Sequence, residues 1–171
     1  MRPMLRQVQT LAGAVMGSLV MIAIALGIAF PEGDRFDAPP LWLVAAQVAA
    51  AVVVHILVEA LGYRSTAIHP ETTEAEARTI AAHAFTTGTV LRLGLCESIA
   101  LASVAAAFLV DSGGYVGFLT GAAISLVLMA VHGWPGEGPI ERTRTSLERD
   151  GARSYLREQL GLGAVGPIQE L

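Results

Sequence analysis

Four apolar runs, Leu11–Phe30, Leu41–Leu61, Thr89–Leu109 and Val116–His132, constrain this chain more than any other feature. Each approaches the roughly 20 residues that carry a helix across about 30 Å of hydrocarbon. The remaining residues do not supply the polar surface a soluble globule needs: of 171 residues, 53% are hydrophobic and 15% charged, with mean hydropathy +0.56. The fold class read from this is all-α, an integral membrane four-helix bundle. Short connections after the first and third runs pair helices 1 with 2 and 3 with 4 as two transmembrane hairpins. Residues 1–134 form the bundle and residues 135–171 a cytoplasmic amphipathic tail.

Orientation follows from arginine alone, because the chain has no lysine. With the N-terminus inside, Arg2 and Arg6 precede the first helix, Arg64, Arg78 and Arg92 belong to the inner side of the middle, and Arg142, Arg144, Arg149, Arg153 and Arg157 follow the fourth; Arg35 alone falls outside. Both termini are therefore expected in the cytoplasm of a bacterial inner membrane. Phe30, Trp42 and Tyr115 then mark the outer edge and Tyr63 and Trp134 the inner one. A cleaved signal peptide is the competing reading of the N-terminus; the length of the run and the lack of a small-x-small site favour a retained helix. The net charge of -4 gives no reason to expect nucleic acid as a partner. Cys96, the only cysteine, excludes an internal disulfide and reads as a small buried hydrophobe.

The long inner segment Gly62–Gly88 carries a capping box, Thr73 followed by Glu76, which predicts a helix over about 74–84 that can run on into the third span. Its charged residues Glu74, Glu76 and Arg78 are expected outward, in solvent. The Pro-Gly-Glu-Gly-Pro stretch after Trp134 ends the fourth span. Residues 140–160 then have helical composition, divided at Asp150-Gly151. This basic amphipathic tail is expected to lie on the membrane surface.

Ionisable and amide groups inside the spans are the functional lead, since each must face protein or water. Gln47, His55 and Glu59 share one face of the second run; Arg92 and Glu97 lie in the third, and His132 closes the fourth. At about 1.5 Å per residue, Glu97 and His55 fall about 3 and 6 Å below the bilayer centre, and Arg92 and Glu59 both about 10–12 Å below it. Matching depths predict two pairs between helices 2 and 3, Glu97 with His55 and Arg92 with Glu59. Such pairs can fix helix register. The same Glu97 and His55 are also the material of a proton or cation pathway. The spacing His55-x-x-x-Glu59 suits a metal pair, with Glu97 or His132 as a third ligand, and His55 with His132 could serve haem; both rest on spacing alone, and no cofactor or metal is expected. Gly13-x-x-x-Gly17 and the series Gly113, Gly117, Gly121 offer close helix contacts within the bundle or between protomers.

The stretch Leu91-Arg92-Leu93-Gly94-Leu95-Cys96-Glu97-Ser98-Ile99-Ala100, with Ala107-Phe108-Leu109 beyond it, locally resembles the carboxylate-bearing helix of rotary ATPase proteolipid c subunits. That resemblance implies an ion carried on Glu97. The first helix lacks the dense glycine repeat of that family, and the arginine-rich tail has no counterpart in it. The whole layout is similar to small four-helix bacterial membrane proteins, whose third helix follows an Arg-x-x-Ala-Leu-x-Glu-like pattern and whose last helix ends in a proline-containing segment. Arg92, Glu97 and Pro135 stand at the matching places.

The reading that results is a non-enzymatic integral membrane protein, with the lipid bilayer and a homo-oligomer or larger membrane complex as partners. The alternative is a small proton or cation pathway through Glu97 and His55, and a haem or metal redox anchor ranks third.

Overall fold

The structure is a computed structural model, and it describes residues 3–30 and 36–163. Arg2 and Arg35, which enter the charge argument, lie outside the described residues. Every regular element among the described residues is helical: α1 Pro3–Ala29, α2 Leu41–Leu57, α3 Glu74–Ala107, α4 Gly114–Leu128, α5 Glu137–Glu148 and α6 Leu156–Leu160. Widened π turns, Val58–Gly62 and Met129–Gly133, extend α2 and α4. Four segments are long and apolar enough to cross a membrane, Met4–Ala29, Leu41–Gly62, Glu74–Ala107 and Gly114–Gly133.

The capping box forms as read. Glu76 N donates to the Thr73 hydroxyl and Thr73 N donates to the Glu76 carboxylate, so two of the orphan amides at the helix start are satisfied. From that cap α3 runs unbroken for 34 residues, about 50 Å at 1.5 Å per residue. About 30 Å suffices to cross hydrocarbon, so α3 is longer than a span requires, and its first turns form a stalk. The separate 74–84 helix and the third span are thus one helix.

Small residues decide which helices take the centre. A Cβ on Gly121 would lie 2.6 Å from the Ser103 Cβ, and one on Gly117 would lie 2.8 Å from Leu43. Close approach of backbones is what such positions permit. α3 and α4 accordingly pack most extensively on each other, and α1 and α2 flank this pair, each resting on α3 and α4. This corrects the two-hairpin expectation: chain neighbours 3 and 4 are a packed hairpin, whereas α1 and α2 are joined in sequence but meet mainly through the central pair. Gly113 differs from its series, since it precedes α4 with φ +68° and turns the chain where a Cβ would sit 2.6 Å from the Ala38 carbonyl carbon. Beyond that turn Phe30, Phe108 and Tyr115 pack ring on ring, with centroids 5.3 and 6.1 Å from Phe30, and the Tyr115 hydroxyl donates to the Ala23 carbonyl at 3.2 Å.

At the opposite end the tail folds onto the stalk. Ile140, Leu147, Leu156 and Leu160 are buried against Ala77, Ala81 and Phe85 of α3, with Ile68 and Val8 completing this second core. The apolar stripe expected to lie on the membrane surface is therefore spent on the protein's own stalk. Val8, Met4 and Leu5 belong to the same cluster, which is why α1 begins at Pro3 instead of near Leu11. The division of the tail falls where expected: Gly151 takes φ +89°, and Tyr155, at φ +55°, opens α6 with its ring between the guanidinia of Arg78 and Arg153. Arg144, Arg153 and Arg157 each pair with a tail glutamate.

Candidate functional site

Polar side chains inside the bundle tie helices together at two levels. Gln47 of α2, 5% exposed, donates through Nε2 to the Ser103 hydroxyl of α3 at 2.9 Å and to the Gly117 carbonyl of α4 at 2.8 Å. The absence of a side chain at Gly121, where a Cβ would lie 3.0 Å from the Gln47 Nε2, leaves room for this amide, and its absence at Gly117 lets Leu43 of α2 approach α4.

The second level centres on Arg92, which is fully buried. Its guanidinium donates to the His132 carbonyl at 2.8 Å, to the Gly62 carbonyl at 2.7 Å and to the Thr89 hydroxyl at 2.9 Å. The two carbonyls belong to the two π turns, where departure from regular helical spacing leaves acceptors to be satisfied. Arg92 also stacks on the Tyr63 ring, 4.7 Å from its centroid. The expected pair of Arg92 with Glu59 is not formed. Glu59 instead accepts from Arg142 of α5, a residue read from sequence only as part of a basic tail.

Around Tyr63 a polar cluster spans α2, α4 and α5. The His55 Nδ1 lies 3.0 Å from the His132 Nε2, and the Tyr63 hydroxyl lies 3.0 Å from the His132 Nδ1. Glu59 Oε1 is 3.8 Å from the His132 Nδ1, and the Arg142 guanidinium lies 4.9 Å from the Tyr63 ring centroid. Burial pushes the Tyr63 phenol up, with Arg92 and Arg142 pulling the other way, so it stays protonated beside the imidazole at neutral pH. The bond to the Glu59 carboxylate strengthens the charge on Arg142. His55 and Glu59 are exposed on the bundle surface, whereas His132 is buried. One ligand atom each from His55, Glu59 and His132 lies within 4.8 Å of the others.

Glu97 is outside this cluster. His55 turns to His132 on α4, and among the described residues no hydrogen bond or ion pair engages Glu97. The ladder expected between helices 2 and 3 is replaced by a cluster on the seam of helices 2 and 4. Depth alone left helix rotation undetermined, and His55 on α2 points toward α4. Tyr63 and Arg142 are the participants that sequence reasoning missed; Tyr63 read as an interfacial aromatic and is instead 8% exposed. The glycine faces divide as well. Gly117 and Gly121 are consumed inside the bundle, while Gly13 and Gly17 are exposed with open space where a Cβ would sit. Comparison with protein families, with curated proteins and with solved structures finds no match to this chain.

Proposed function

We propose that the protein is a non-enzymatic integral membrane subunit that docks, through outward faces of α1 and α3, on a second transmembrane chain, either another copy or a larger complex. Glu97 carries this reading. It lies 10 residues before the end of α3, about 15 Å at 1.5 Å per residue, which is the middle of the hydrocarbon. It is only partly buried and shares its side of the helix with the exposed residues Gly94, Ser98 and Leu101. A charge facing lipid at that depth costs about 2.5–3.5 kcal/mol, so a donor from a neighbouring helix is the economical solution. Gly94-x-x-x-Ser98 flanks the carboxylate, and a Cβ at Gly94 would meet no atom within 4 Å. The small-xxx-small spacing suits close approach of such a helix. Gly13-x-x-x-Gly17 supplies the same kind of face on α1.

The orientation that goes with this reading places the arginine-rich tail and both termini in the cytoplasm, in a bacterial inner membrane. Cysteine crosslinking in native membranes tests the docking face. With Cys96→Ala as background, cysteine placed at Ser98 is expected to form crosslinked adducts, and cysteine at Val52, on the exposed side of α2, is expected to form none. Equal yields at the two positions would contradict an α3 docking face.

A further inference from the structure

The geometry points to a binding site for a divalent transition-metal ion of the zinc type, held by His55, Glu59 and His132 on the seam between α2 and α4. These residues supply two imidazole nitrogens and a carboxylate, a donor set suited to zinc. Four ligands at 2.0–2.1 Å in a tetrahedron stand roughly 3.3 Å apart. The His55 Nδ1 and His132 Nε2 are 3.0 Å apart, so an ion between them needs an opening of only a few tenths of an ångström. One ligand atom each of His55, Glu59 and His132 lies within 4.8 Å of the others, with Glu59 Oε1 3.8 Å from the His132 Nδ1. A rotamer adjustment of the exposed Glu59 side chain closes the third position and leaves a fourth open to the surface.

Two further observations point to a ligand. The first is the partner on the far side of His132. Its Nδ1 lies 3.0 Å from the Tyr63 hydroxyl, and a proton on Nδ1 donated to that oxygen leaves the Nε2 lone pair directed at His55. An imidazole fixed in one tautomer by a bond from its other nitrogen is the usual support of a metal ligand. The second is the backbone. Glu59 and His132 both sit in π turns, and the two turns are bridged by Arg92 through the Gly62 and His132 carbonyls. Single π turns recur at functional sites, where they re-aim side chains. Here they set ligands from two helices toward one point.

The charges facing the site set its behaviour. Arg92 lies behind His132, bonded to its carbonyl, and Arg142 bonds Glu59 and stacks on Tyr63. Arg142 is half exposed, so it can swing away when an ion claims the carboxylate. Arg142 therefore acts as the internal competitor for Glu59, and removing it should strengthen metal binding while removing a ligand should weaken it. A purely structural Glu59–Arg142 pair has no such asymmetry.

The test is titration of the full-length chain, purified without a polyhistidine tag and reconstituted in lipid nanodiscs, with Zn²⁺ by calorimetry and with Co²⁺ by visible absorption. The wild type is expected to bind one ion per chain, with the intense absorption of tetrahedral Co²⁺. His55→Ala combined with Glu59→Gln, both on the exposed surface, should abolish that one-to-one binding. Tyr63→Phe should weaken it about 10- to 100-fold, and Arg142→Gln should tighten it. His83→Ala, on the exposed side of α3, should leave it unchanged. Wild-type binding no stronger than that of the double variant, or weaker binding after Arg142→Gln, would overturn the proposal.

Discussion

Arg92 shows how one residue holds the end of the bundle nearest the tail. Its three guanidinium nitrogens serve the carbonyls of two π turns and a hydroxyl one turn away on its own helix, so its charge is spread over fixed dipoles and needs no carboxylate. Arg92→Met strands two buried carbonyls and should lower the unfolding free energy in lipid bicelles by about 3 kcal/mol. Arg92→Lys should recover little of it, because a single ammonium cannot reproduce the planar fork. An unchanged unfolding curve for Arg92→Met would refute this assignment. The sequence places Arg92, Glu97, His55 and Glu59 within apolar runs and at countable positions along them, but the pairing among them was not legible. Depth follows from counting residues, whereas a partner depends on rotation about the helix axis. For Glu59 and His132 the facing is set further by the π turns that hold them, and nothing in the composition of Val58–Gly62 or Met129–Gly133 announces such a turn. Arg142 was hidden for another reason: its distance of 83 residues from Glu59 is bridged only once the tail has folded back.

Among the elements, the spans and their ends were the most legible part of the chain. The run Leu41–Leu61 matches α2 with its π turn, the Thr73–Glu76 box starts α3 where it should, and Asp150-Gly151 separates α5 from α6. Local chemistry fixes each of these. The destination of the tail was not local, since its apolar stripe fits a membrane surface and a protein surface equally well, and only the length of the α3 stalk decides between them. Salt bridges lace the outer side of that docked tail. The bond from Arg144 holds the Glu141 carboxyl below its ordinary range. A carboxylate lowered in this way contributes stability that is complete above its unfolded pKa and is lost as pH falls through the lowered folded value. Hydrogen exchange of α5 amides should therefore be slow at neutral pH and accelerate under acid, below the ordinary carboxylate range, while the bundle amides of α3 and α4 stay protected. Parallel loss of protection in both regions would show that tail and bundle open as one unit.

At the scale of the whole molecule, the polar groups of the bundle fall into two kinds. The Gln47 Nε2 and the Arg92 guanidinium find their acceptors within one chain and join three helices each, so they serve the fold. Glu97 is only partly buried, beside the exposed Gly94 and Ser98, and no hydrogen bond or ion pair among the described residues engages it; it is the group on which the proposed docking rests. On the proposal made above, this carboxylate marks a docking face. Native mass spectrometry of the protein released gently from its own membrane tests that claim most directly, with Glu97→Leu alongside the wild type. The wild type is expected in an assembly heavier than the single 17.9 kDa chain, homomeric or with a larger partner, and Glu97→Leu is expected to shift the population toward the single chain. A wild type that leaves the membrane only as the 17.9 kDa monomer, or a Glu97→Leu variant that assembles as the wild type does, would contradict it.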